Sequence, residues 1–379
     1  MKILLIGEYS NLHNSLKQGL IEKGHEVVLI GNGDDFKKYK VDILLKSTIF
    51  ENKLLKLFAK IFDRIFGISL NEIEIFFKAK KIIKSLKDFD VVQLINERSF
   101  KTSPTLERKL LKIIFKNNKK VFLLACGVDH KSVNFAFQKK FRYSILTPYF
   151  ENNLLKNQYK FILNYLNSEY VKLSKYIKQN IVGIISSDLD YDIPYKGSEK
   201  YIGMIPNPIN IERIKFNQNS INGKIVILHP INSKNKIKKG NIFFEKALEI
   251  IKNKYSGKIQ IITTINKPYD EHLVNLMKCN IVLDQVYAYD QGYNALEAMA
   301  LGKTVFTGAE KEWLEKYNIK EDTTVINALP DVSYIVKKLS WLIENPNKLN
   351  FISKNARKFI EDFHNYKIIT SKYLKAWEK

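Results

Sequence analysis

Short apolar runs rich in β-branched residues recur along the chain between helical stretches, and they fall into two series. The first comprises KILLI (2–6), EVVLI (26–30), VDILL (41–45), VVQLI (91–95), KVFLLA (120–125) and NIVGII (180–185). After IPNP (205–208) a second begins: KIVILHP (224–230), KIQIITT (258–264), NIVLD (280–284), KTVFT (303–307) and TTVIN (323–327). Their composition marks strands buried on both faces, as in parallel sheets covered by helices. Helical patterns such as SLKQGLIEKG (15–24) and NIFFEKALEIIKNKY (241–255) stand between them. The alternation predicts an α/β protein of two doubly wound domains, and 379 residues exceed what one ordinary core serves.

Residues 51–87 interrupt the alternation with a long, basic, helical pattern. Leu54, Leu55, Leu57, Phe58, Ile61, Phe62, Ile65 and Phe66 sit at helical spacing among Lys53, Lys56, Lys60 and Arg64. Such a helix either packs on a core with a solvated lysine face or lies on an anionic membrane surface. The chain carries a formal charge of +23, which favours anionic partners. Its 2 cysteines, Cys126 and Cys279, form no CxxC pair and fit a reducing compartment. The apolar run before Gly7 is too short for a signal peptide, and no stretch is long enough to span a membrane, so a cytoplasmic protein is expected.

Three strand-to-loop junctions could carry chemistry. After the first strand, GEYSNLHNSLKQGL sets Gly7, Glu8 and Ser10 at the carboxyl edge of a sheet, where open α/β folds bind ligands. This is no GxGxxG fingerprint, and an ordinary turn capped by Ser10 or Asn11 is the simpler alternative. His13, just inside the helix, is either a sugar or phosphate contact or structural. In HPINSKNKIKKGNIFFEKAL (229–248), Lys234, Lys236, Lys238 and Lys239 lead through Gly240 into a helix. Ammonium groups and a helix N-terminus at one spot would neutralise a diphosphate, unless the run is only a solvated loop. Third, NIVLDQ ends in Asp284, and YDQGYNALEAMALGK (289–303) then opens a helix bearing Glu297. That carboxylate either complements the helix dipole or holds a ligand.

Together these residues resemble the GT-B glycosyltransferases of retaining family 4. The resemblance spans nearly the whole chain. GYNALEAMALGKTVFTG (292–308) is similar to the family's glutamate motif and its EAMAxGxPV segment, IPNPIN (205–210) to IPNGVD, and SKNKIKKG (233–240) to GRxxxxKG. The resemblance implies a fold of two Rossmann-like domains facing across a cleft. Residues 1–205 would form the acceptor domain and 206–361 the donor domain, with a C-terminal helix, 362–379, crossing back to complete the first. It implies that Glu297 holds the donor ribose and that Lys239 and Lys234 grip the diphosphate, lysine standing at 234 where arginine is usual. Asn207, Gly240 and the Gly292, Tyr293, Asn294 stretch would contact the donor, with Gly7 and its neighbours facing it from the other domain. Eight residues before Glu297, where the family has its first glutamate, stands Tyr289; Asp290 and Asp284 are the carboxylates available for that role. Asp129 or His130, in ACGVDH (125–130), would serve the sugar or acceptor. No metal or other cofactor is implied, because the leaving diphosphate itself helps to deprotonate the acceptor.

The function expected is transfer of a hexosyl group, with retention, from a nucleotide sugar to a glycan or lipid-linked acceptor in cell-surface polysaccharide synthesis. A sugar-nucleotide 2-epimerase of the same fold and a non-catalytic sugar-nucleotide binder are the alternatives. A nucleic-acid partner is not expected, since no RNP-like or helix-turn-helix signature occurs.

Overall fold

In the computed structural model, which describes residues 1–34, 39–66, 69–221 and 223–378, the chain forms two parallel sheets. Seven strands build the first: β1 (Lys2–Ile6), β2 (Glu26–Gly31), β3 (Ile43–Leu44), β4 (Val91–Leu94), β5 (Val121–Ala125), β6 (Gly183–Ser186) and β7 (Tyr201–Met204). Their order is β3-β2-β1-β4-β5-β6-β7. The second sheet comprises β8 (Ile225–Ile231), β9 (Ile259–Ile265), β10 (Ile281–Leu283), β11 (Thr304–Thr307) and β12 (Ile326–Asn327), in the order β12-β11-β10-β8-β9. Leu4 and Ile6 of β1 enter one apolar layer and Ile3 and Leu5 the other, as a strand buried on both faces requires. β7, an edge strand reading YIGM, is the one that apolar patterning does not reveal: its residues are half-buried.

The closing segment is not one helix. Pro346–Phe359 runs through a π-helical turn, Ile360–His364, into a further helix, Tyr366–Trp377. That last helix packs on Leu12–Glu22 of the first domain, and Ile369, Tyr373 and Trp377 share a core layer with Ile3, Leu5 and Leu16. The Trp377 indole N–H donates to the Gln93 side chain at 3.0 Å. The two chain crossings between the domains are bonded to each other. The Ile209 N–H donates to the His364 carbonyl at 2.7 Å, the Tyr366 N–H to the Ile209 carbonyl at 3.1 Å, and His364 Nδ1 lies 2.8 Å from the Asn207 carbonyl.

Residues 51–87 divide into two helices, Lys53–Phe66 and Leu70–Ile83. In the first, Leu55, Leu57, Phe58 and Ile61 are all exposed. The side chains of Lys53, Leu54, Ile65 and Phe66 lie outside the described residues. No helix among the described residues is long and apolar enough to cross a membrane.

Candidate functional site

β8 and β10 are neighbours, yet the chain visits β9 between them. Their following loops therefore part in opposite directions and open a crevice at the point where the winding reverses. The loop after β8 ends at Gly240, whose φ of 69° is left-handed and whose missing Cβ would lie 2.8 Å from the Val286 Cβ. A side chain there would push the two loops apart. Gly240 starts the helix Asn241–Lys254 with no side-chain cap. Just before it, Lys239 Nζ lies 2.8 Å from Oδ1 of Asp284, the residue following β10.

Asp284 is 1% exposed. Its Oδ1 also accepts from the Asn294 amide at 2.9 Å, while Oδ2 is buried without a protein partner. Asn294 Oδ1 in turn lies 2.6 Å from His272 Nε2. Burial lowers the pKa of His272 from its ordinary value. An Nε2–H there donates to that oxygen. Glu297, one turn into the helix Tyr293–Ala300, accepts from the Tyr269 hydroxyl at 3.2 Å. Tyr39 of the first domain sets its ring 6.5 Å from that of Tyr269, nearly edge-on. Ser10, Tyr39, Lys239, His272, Asn294 and Glu297 thus line one cavity of about 350 Å³ between the two sheets.

A second cavity, of about 330 Å³, adjoins the first across Lys239, Gln285 and Gly292. Its character is different. One wall is the apolar inner side of residues 128–162, including Val133, Phe141, Leu146 and Ile162, and the other carries Asp188, Asp190 and Asp290. These carboxylates fasten the domains reciprocally: Asp190 accepts the Tyr289 N–H at 3.2 Å, and Asp290 accepts the Leu189 N–H at 3.2 Å. Burial, with repulsion from Asp192, pushes Asp290 up to about 6, and burial, with repulsion from Asp290, pushes Asp190 up to about 7.

The residues singled out in the sequence separate into groups. Ser10, Lys239, Asn294, Gly292, Tyr293 and Glu297 line the first cavity, and Asp290 lines the second. Asp284 lies behind the first, reached through Lys239 and Asn294. Gly7 and Glu8 are buried behind the β1 loop. Gly7 has φ 90°, and a Cβ on it would come within 2.1 Å of Ile95. Glu8 accepts from the Asn14 backbone and side chain, and burial raises it to about 8. His13 donates to or accepts from nothing in the cleft; its Nδ1 is 2.7 Å from the Gly7 carbonyl, and burial lowers it to about 4.

Other residues stand away from the cleft cavities. Lys234 is exposed and lines neither cavity, since the turn through Asn235 brings Lys238 and Lys239 inward instead. Asn207 serves the domain crossing through its carbonyl. Asp129 caps the helix His130–Phe137 by accepting the Ser132 N–H at 2.7 Å, and it takes the Tyr195 hydroxyl at 3.2 Å. His130 Nδ1 is 2.8 Å from the Tyr165 carbonyl. Asp129 and His130 were expected near sugar or acceptor; both face the fold's own polar groups instead, Asp129 as a helix cap and His130 against the Tyr165 carbonyl.

Tyr289, at the position of the expected first glutamate, is buried. Its ring meets Phe141 at 5.0 Å and the Arg142 guanidinium at 4.7 Å, and its hydroxyl accepts the Arg142 N–H at 2.8 Å. Arg142 continues to Glu310 at 2.6 Å and to Glu312 at 2.7 Å. Sequence reasoning missed this clasp, and it missed Tyr269 and His272, which share a face of the helix Tyr269–Lys278 that carries no motif. It also missed Asp188 and Asp190, although DLD directly follows a strand and the carboxyl edge is where ligands bind.

Two Rossmann-like domains with parallel sheets, facing across a cleft lined from both, make this the GT-B fold. No known family profile matches the sequence, and no curated protein matches it. Solved structures do match over the full chain. Anabaena HepE in complex with UDP and glucose is 10% identical with a TM-score of 0.62, covering 100% of this chain and 99% of its own. Sucrose-phosphate synthase from Thermosynechococcus elongatus is 13% identical with a TM-score of 0.59, covering 100% and 98%. Staphylococcus aureus MnaA bound to UDP is 12% identical with a TM-score of 0.55, covering 98% and 94%.

Proposed function

We propose that the protein is a family 4 type glycosyltransferase that moves a hexosyl group from a nucleotide-diphosphate sugar to an acceptor, with retention. The observation that carries this reading is the pair of adjoining cavities at the reversal point of the second sheet. The first has the fittings of a nucleotide site: a carboxylate, Glu297, for ribose hydroxyls, and a lysine, Lys239, beside the N-terminus of the 14-residue helix Asn241–Lys254 for the diphosphate. UDP complexes of HepE and MnaA, which share the fold, agree with a nucleotide ligand. No metal or other cofactor is invoked.

On this reading Lys239 stabilises charge growing on the leaving diphosphate as the sugar–oxygen bond breaks, and the acceptor proton passes to a diphosphate oxygen. Asp284 and Asn294 position that lysine rather than react. Asp290 stands at the acceptor side, its oxygens committed to the Leu189 and Gln291 amides, so it shapes the sugar subsite. The acceptor is a glycan or lipid-linked precursor of a cell-surface polysaccharide. The enzyme works in the cytoplasm, with helix 53–66 touching an anionic membrane face.

Screening nucleotide sugars for thermal stabilisation, then measuring nucleotide release with and without acceptor extract, tests the reading. Acceptor-dependent release supports transfer. Release without acceptor indicates the epimerase, and stabilisation with neither indicates a binder. If no nucleotide sugar or nucleoside diphosphate shifts the melting transition, the site assignment is wrong.

A further inference from the structure

The two sheets end in the edge strands β3, β7, β12 and β9, and three of these are guarded. β3 and β12 are 2 residues long, too short to pair with another chain. β7 has 4 residues and a register shift against β6 at Ile184 and Ile185. The remaining edge, β9, is 7 residues long and follows β8 in unbroken register from Ile259 to Ile265. It reads IQIITTI, without a charge or a proline, in a chain that holds 62 lysines and arginines. An edge of this kind is a template for a further strand.

The Lys258 carbonyl accepts the Ile225 N–H at 2.9 Å, and the Asn266 N–H donates to the Ile231 carbonyl at 2.9 Å. Even-numbered residues of the strand therefore turn their main chain toward β8. The N–H and C=O groups of Ile259, Ile261, Thr263 and Ile265 point out of the sheet, and among the described residues no strand lies beyond β9 to take them. IQIITTI reads nearly the same in both directions about Ile262. Laid antiparallel on a second copy, Ile262 meets Ile262, Ile261 meets Thr263, and Ile259 meets Ile265. That register sets outward residues opposite outward residues, so each free N–H and C=O from 259 to 265 gains a partner. Ile265, 58% exposed, then lies against Ile259 of the second copy. The flanking lysines avoid each other, since Lys258 falls opposite Asn266 and Lys267 opposite Gly257.

The neighbouring helix carries the charges that the same two-fold axis requires. Ile259, Ile261 and Thr263 line an open groove of about 550 Å³ with Glu245, Glu249 and Lys252 of Asn241–Lys254. That helix runs back against the strand direction, so the two acids stand at the Thr263 end and Lys252 at the Ile259 end. Glu245 is already held by Lys236 at 2.7 Å, whereas Glu249 and Lys252 are both exposed. An axis through Ile262 exchanges the ends and turns Glu249 of each copy toward Lys252 of the other.

We propose that β9 is a dimerisation strand, pairing antiparallel with β9 of a second copy and joining the two smaller sheets into one. A strand from another protein could make the main-chain bonds, but a second copy alone matches its own register and reversed charges. Thr264, Asn266 and Lys267, at the end of this strand and in its loop, line the first cavity, so the second copy braces one wall of it. The inference does not depend on the glycosyltransferase reading.

The experiment is sedimentation equilibrium of the full chain, joined to oxidative cross-linking of single-cysteine additions. Wild type is expected at twice the mass of one chain. T263P removes an outward N–H from an exposed residue and spares the bonds to β8, so association should weaken about tenfold or more with an unchanged circular dichroism spectrum. E249K should weaken association, and E249K/K252E should restore it, a rescue that only the two-fold arrangement produces. I262C should oxidise to a covalent dimer, because Ile262 meets itself in a non-hydrogen-bonded pair, where side chains stand closest. Q260C, which falls opposite Thr264, should not. A wild type that stays monomeric at high micromolar concentration overturns the proposal. So does a dimer that T263P leaves intact, or one that Q260C cross-links and I262C does not. If T263P fails to fold, the charge swap and the cysteine pair decide: no rescue together with no I262C cross-link overturns the proposal.

Discussion

Lys239 can matter in two ways, and a double-mutant cycle with Asp284 separates them. Lys239→Ala leaves the Asp284 carboxylate, 1% exposed, with the Asn294 amide as its remaining side-chain donor. Removing one partner of a buried ion pair costs about 3–5 kcal/mol. The Lys239 side chain is 28% exposed, so water partly replaces it and the lower end, about 3 kcal/mol, is the reasonable figure. For domains of this size that lowers the melting temperature by roughly 6–12 °C. Asp284→Asn removes the stranded charge, so K239A/D284N should recover most of the loss, with a coupling of about 2–3 kcal/mol. Turnover should behave otherwise. If Lys239 stabilises the leaving diphosphate, K239A and K239A/D284N should both fall about 100-fold or more. Melting curves by calorimetry and nucleotide release at saturating donor provide the two readouts. A double variant that regains both stability and turnover would mean that Lys239 serves only to neutralise Asp284 and has no part in stabilising the diphosphate.

Glu297→Gln should weaken nucleotide-sugar binding about 10- to 100-fold, the scale of one charged hydrogen bond, with an unchanged melting temperature; calorimetric titration measures it. Tyr289→Phe removes the acceptor of the Arg142 N–H and should lower stability by about 1–2 kcal/mol while sparing donor affinity. A large loss of donor affinity there would place Tyr289 in the sugar site after all. Stability should also fall as pH rises from about 4 to about 7. Asp290 and Asp190 have folded values raised above their unfolded ones, so the folded state holds more protons in that window. Asp290→Asn should flatten this decline, read as melting temperature against pH; an unaltered slope assigns it to other groups.

What could be read from sequence depended on how local its cause was. β1, β2 and β4 are legible because burial on both faces leaves its mark residue by residue. β7 is not, being an edge strand whose half-buried residues carry no such constraint. Lys239 is legible because it sits immediately before a helix-starting glycine with a left-handed φ of 69°. Lys234 is not distinguishable from it in the sequence, because the turn that orients one inward and the other outward is set by packing against Val286. Asp190, Arg142 and Tyr289 meet only when two domains close, across separations in sequence of 99 and 147 residues. No local pattern encodes such a meeting.

The returning helix Tyr366–Trp377 has a consequence for how the molecule is made. Its Ile369, Tyr373 and Trp377 seal an apolar layer of the first domain against Leu12, Leu16 and Leu20. Those leucines leave the ribosome early, whereas their cover is synthesised only after the entire second sheet. Domains usually fold in the order of synthesis. Here the first domain must wait with an open apolar flank while the second, whose strands and helices have all been made, can already close. The first domain is therefore completed only after the second has been made, and the exposed flank of Leu12, Leu16 and Leu20 is where a nascent chain would need shielding.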